Sequence, residues 1–113
     1  MENKTAVTAL AALAQDTRLA IFRLLVQTGP EGLSAGKIGE ALGIAPSSLS
    51  FHLKELAYAN LVSSRQESRF VIYAANFQTM SELIAFLTEN CCGGSPCFPT
   101  PFPECDPIKE AST

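Results

Sequence analysis

Apolar positions recur at helical spacing in five stretches of this chain and change once to a β-rich pattern. From Ala6 to Leu13 the segment is mostly Ala and Leu, a first helix that packs closely but anchors little by itself. A second helix is predicted from Thr17 to Gln27, capped by Asp16. In it Leu19, Ile21, Phe22, Leu24, Leu25 and Val26 leave only Arg18, Arg23 and Gln27 for solvent, which marks a central helix touched from several sides. Gly29, Pro30 and Gly32 end it.

Two short helices follow in close succession. Ile38, Ala41 and Leu42 fall at helical spacing after Ser34 in the N-cap position, and Gly43 stands where that helix would stop. Pro46 has the fixed φ that suits the first position of the next helix, and Ile44 lies in the turn where it can plug the corner. This is a helix-turn-helix layout. After Asn60 the period changes. LVSSRQ and RFVIYA are short β-branched and aromatic runs separated by Glu67 and Ser68, which predicts a β-hairpin. From Asn76 to about Asn90 a last helix carries Phe77, Met80, Leu83, Ile84 and Leu87 on a stripe too apolar to be left in water. The expected fold is mainly α with a small β-hairpin, with the first and last helices finished by a second copy of the chain.

Counting 100° per residue separates the two faces of the helix that starts at Pro46. Leu49, Leu53, Leu56 and Ala57 form the buried stripe. Opposite lie Ser47, Phe51, Lys54 and Tyr58, with Ser50 close by, Ser48 and Glu55 on the flank and His52 at the boundary. Small hydroxyls beside free backbone N–H groups at a helix N-terminus suit phosphate oxygens. Phe51 suits a thymine methyl, and Ser50 or His52 a base edge or phosphate. The expected partner is double-stranded operator DNA, with Arg65, Gln66 and Arg69 near the hairpin tip as further contacts.

The formal charge of −3 at first opposes such a partner. By region the objection weakens: residues 1–36 are neutral, 37–73 carry +1 and 74–113 carry −4. With few Lys or Arg available, modest non-specific affinity and a shallow salt dependence are expected. At 113 residues the chain reads as one domain. TAVTALAALA resembles a signal peptide, but Glu2 offsets Lys4 and the helical pattern continues onward, so a cytoplasmic protein without a membrane span is expected. No nucleophile with a base, carboxylate pair or phosphate-cradling glycine loop is recognisable, so an enzyme is not expected.

The run PSSLSFHLKELAYANLV resembles the recognition helix of the ArsR/SmtB family of winged-helix repressors, and QDTRLAIFRLL resembles the family's second helix. The likeness covers residues 5–92. It implies a homodimeric winged helix-turn-helix repressor, with residues 1–92 as the DNA-binding and dimerisation domain and 93–113 as a Cys/Pro-rich tail.

Four cysteines, Cys91, Cys92, Cys97 and Cys105, fall at and after the end of the last helix. In a reducing compartment they argue for metal binding or redox chemistry over a disulfide framework. A vicinal pair suits a soft, thiophilic centre. Gly93 and Gly94 let the chain turn back, so that Cys97 can supply a third thiolate, as trivalent arsenic or antimony requires; four thiolates would instead suit zinc. Ala35–Leu42 contains no cysteine, unlike the family's best-known arsenic site, and the last helix lacks the Asp and His pattern of its zinc sensors. The tail resembles arsenic repressors whose site is a vicinal pair plus a downstream cysteine. That resemblance implies As(III) as the inducer, with Sb(III) as a second ligand, held by Cys91, Cys92 and Cys97, with Cys105 as an alternative third position. A methylarsenite sensor needing only two thiolates, and a thiol-based redox or zinc-responsive regulator, are the alternatives.

Overall fold

A computed structural model describes residues 1–94 of the 113. Five helices, α1 (Asn3–Leu13), α2 (Asp16–Thr28), α3 (Ala35–Leu42), α4 (Pro46–Tyr58) and α5 (Phe77–Leu87), surround one small sheet of β1 (Leu33–Ser34), β2 (Val62–Glu67) and β3 (Phe70–Ala75). The strand order is β1-β3-β2, antiparallel throughout. No helix among the described residues is long and apolar enough to cross a membrane.

The core is one cluster shared by the helices and the sheet. Ala6 and Ala9 of α1, Ile21, Phe22 and Leu25 of α2, Ile38 of α3, Leu49, Leu53 and Leu56 of α4, and Leu83 of α5 are all buried in it. Small side chains on α1 let that helix approach closely, as its Ala-rich sequence demands.

Local signals account for most boundaries. Ser34 Oγ accepts the Lys37 N–H at 3.3 Å and Asn76 Oδ1 accepts that of Thr79 at 3.2 Å, so both act as N-caps. Gly43 closes α3 in the left-handed region at φ 66°, and the Ile44 N–H turns back onto the Gly39 carbonyl at 3.0 Å. Pro46 opens α4.

Several expectations need correction. The cap of α2 is Gln15, whose side chain accepts from the Arg18 N–H at 2.9 Å; Asp16 is already helical. Arg18, expected in solvent, is half-buried with its guanidinium hydrogen-bonded inward, while Leu19, expected in the core, is exposed. Ala57 is exposed, since the chain leaves α4 through Ala59 and Leu61, which fill that side of the core. The last helix stops at Leu87, before the expected Asn90. Glu67 is a strand residue opposite Phe70, so the hairpin turns at Ser68 and Arg69, with Ser68 at φ 57°. The third strand was not foreseen: Leu33 pairs with Tyr73 and Ser34 with Ile72, tying the start of α3 to the hairpin.

That tie explains Gly32. Its φ is +70°, and a Cβ there would run into the backbone carbonyl of Tyr73. We expect Gly32→Ala to cost about 2 kcal/mol of folding stability through left-handed strain and loss of the β1–β3 pairing. Urea unfolding would measure it, and an unchanged midpoint would refute the account.

Candidate nucleic-acid interface and thiol pair

α4 presents one continuous exposed surface. Ser47, Ser48, Ser50 and Lys54 are all exposed, Phe51 is 57% exposed and Tyr58 84%. Ala45, the N-cap, has no side-chain hydroxyl or amide to offer and Pro46 has no N–H, so no side chain caps this helix. The Ser47 and Ser48 backbone N–H groups are therefore available beside their hydroxyls, and the positive end of the helix dipole adds to the attraction for an anion. On the opposite side Leu49, Leu53 and Leu56 are buried, which fixes the helix so that this surface must face outward.

His52 lies at the edge, half-buried, with its Nδ1 3.3 Å from Nη1 of Arg18 and Phe51 edge-on to its ring. Arg18 is the residue that the sequence reading left in solvent.

The hairpin residues differ from one another. Arg65 is turned back: its Nε donates to Glu67 Oε2 at 2.6 Å and its Nη2 to the Glu31 carbonyl at 2.8 Å. Gln66 Nε2 donates to the Ser68 carbonyl at 3.2 Å and braces the turn. Arg69 is exposed at the tip and makes no hydrogen bond or ion pair within the described residues.

At the other end of the fold, Asn90 and Cys92 take left-handed φ values of 55° and 56° after α5, folding Cys91–Gly94 into a short 3-10 turn. This sets the Cys91 and Cys92 Sγ atoms 3.7 Å apart. Cys91 carries a free thiol. Cys97 and Cys105 lie outside the described residues. Among the described residues no three His, Cys, Asp or Glu side chains gather in a set that could hold a metal ion. A three-thiolate centre at Cys91 and Cys92 thus requires a further donor from beyond residue 94.

Residues 13–65 match a family model described as a helix-turn-helix domain. Three solved structures share the fold and part of the sequence. HlyU from Vibrio cholerae is 34% identical, with 77% of this chain and 97% of that chain covered, at a TM-score of 0.61. An ArsR-like transcriptional regulator from Rhodococcus sp. RHA1 is 25% identical, covering 74% and 76%, at 0.67. The chain belongs to the ArsR family of winged-helix regulators. The homodimeric winged helix-turn-helix DNA-binding domain of a Mycobacterium bovis protein is 26% identical, covering 75% and 76%, at 0.63. Among curated relatives, the chain spans only 57% of the length of YceK from Bacillus subtilis and 63% of NolR from Rhizobium meliloti.

In ArsR-family terms α3 and α4 are the helix-turn-helix, and β2 and β3 the wing. Arg69 is the wing cation at the tip with no partner among the described residues, while Arg65 already has two. We expect Arg69→Ala to lower the slope of log affinity against log salt by about 1, the signature of one lost phosphate contact. Arg65→Ala should change the slope less, and the reverse order would contradict this reading of the wing.

Proposed function

We infer that the protein is a homodimeric transcriptional repressor that holds operator DNA through α4 and the wing, and is released when trivalent arsenic binds its C-terminal thiols. The observation carrying the ligand part is the 3.7 Å separation of the Cys91 and Cys92 sulfurs at the end of α5. Two sulfurs that close can both reach one soft centre, since bonds from a metal to thiolate sulfur are about 2.3 Å long. Thiolates favour soft centres, and Cys97, or Cys105 in its place, is the third donor of the pyramidal set that As(III) or Sb(III) takes.

Dimerisation through α1 and α5 fits the apolar surface these helices expose: Val7 is 56% exposed and Leu87 59%, with Leu10 also exposed. A two-fold dimer would set two copies of α4 about one helical turn of DNA apart. Ligand capture at the end of α5 would reshape the end of that interface and so shift the two reading helices. By linkage, arsenic releases DNA only as far as its affinity differs between the free and bound forms.

A second reading rests on the same geometry, the free Cys91 thiol 3.7 Å from the Cys92 sulfur. In that reading the oxidation state of the pair, and no metalloid, sets DNA affinity.

The test is fluorescence anisotropy of the reduced protein on its own upstream DNA, titrated separately with arsenite, methylarsenite, zinc and hydrogen peroxide, for the wild type and Cys97→Ser. Release by arsenite that the variant loses supports the three-thiolate sensor. Release by methylarsenite in both proteins points to a two-thiolate site. Release by an oxidant alone selects the redox reading, and failure to bind any upstream DNA removes the repressor itself.

A further inference from the structure

The guanidinium of Arg18 joins three segments of the fold. Its Nε donates to the carbonyl of Ala12, near the C-terminal end of α1, at 2.7 Å, and its Nη1 reaches Nδ1 of His52 on α4 at 3.3 Å. Its own backbone is fixed at the start of α2 by the Gln15 side chain. Both Arg18 and His52 are half-buried, and the Phe51 ring meets the imidazole edge-on, with centroids 5.4 Å apart at 65°.

A guanidinium has donors and no acceptor, so Nδ1 must accept this bond. The one proton of the neutral imidazole then sits on Nε2. We propose that Arg18 is a positioning residue for DNA recognition, locking His52 as the Nε2–H tautomer so that α4 offers a fixed hydrogen-bond donor to an acceptor on the operator. The inference rests on the reading of α4 as the DNA-contacting helix. Acceptors of that kind are phosphate oxygens and, in the major groove, purine N7, guanine O6 and thymine O4. An imidazole free to exchange tautomers would present a donor only part of the time. Capping of α1 does not explain the geometry, because Nε already satisfies the Ala12 carbonyl and leaves Nη1 for His52.

The chain contains a single histidine, so its ring nitrogens give one unambiguous set of 15N signals in the tag-free, full-length protein. At mildly alkaline pH we expect the wild type to show the Nε2–H form alone. Arg18→Met, which keeps the bulk and loses the donors, should return a mixture of tautomers and weaken operator binding about fivefold, the worth of roughly one hydrogen bond. The double variant with His52→Ala should bind no more weakly than His52→Ala alone, since Arg18 acts through the ring. An Nδ1–H ring in the wild type, an unchanged tautomer in Arg18→Met, or additive losses in the double variant would each overturn the proposal. The wild-type signal decides even where Arg18→Met does not fold. A locked tautomer in a protein that binds no DNA would overturn the DNA reading of α4 instead, and the recognition role of the bond with it.

Discussion

Operator DNA stays bound to the Cys91→Ser/Cys92→Ser double variant when arsenite is added, whereas the reduced wild type loses about a hundredfold in affinity; that is the expected result of removing the vicinal thiols. A hundredfold corresponds to about 2.7 kcal/mol of coupling between ligand and DNA, within the usual span for such linkage. Serine keeps the size and polarity of each side chain but supplies no soft thiolate, so the ligand loses two donors at once. The pair lies after α5 and contributes nothing to the buried cluster, so affinity without arsenite should stay within about twofold of the wild type, as for surface changes that touch no core contact. Anisotropy of labelled operator with and without arsenite gives both numbers. A double variant that still releases DNA on arsenite would rule out these thiols as the sensor.

The second large effect concerns folding. Leu56 is fully buried, 0% exposed, in the cluster where α4 meets α1 and α2. Leu56→Ala removes three buried carbons and leaves a cavity that rigid helices on several sides cannot collapse. We expect a loss of about 3–4 kcal/mol, in line with fully enclosed leucines. For a domain of this size the thermal midpoint should then fall by roughly 15 °C or more, measured at fixed protein concentration because dimerisation adds to apparent stability. Tyr58→Ala, two residues along the same helix but 84% exposed, is the matched control and should shift stability by no more than about 0.5 kcal/mol. Equal losses in the two variants would mean that the enclosure of Leu56 had been misjudged.

How much of this was legible beforehand varies with the range of the interaction. The helix-turn-helix could be read almost residue by residue. Ser34, Gly43 and Pro46 are capping and breaking signals that act on their own neighbours, and each does what its chemistry requires. The exposed face of α4 followed from counting turns, because Leu49, Leu53 and Leu56 leave only one side for Phe51 and the serines. The same counting failed at Ala57 and Leu19, positions at the edge of a stripe, where burial depends on which neighbour arrives. The hairpin pattern likewise placed Arg65 in the wing interface without revealing that Glu67 and the Glu31 carbonyl engage it.

The sequence by itself determined the order of the five helices and the hairpin, the two-faced recognition helix and the adjacency of the two thiols. All of these are set by periodicity, caps and covalent neighbourhood, which operate within a few residues. Only the tertiary structure decided that β1 pairs with β3, that Arg18 reaches His52 and that Arg65 folds back on Glu31. Both arginine contacts join residues 34 apart in the chain. No local pattern encodes such a partner, because it exists only once burial of the apolar faces has brought the two segments together.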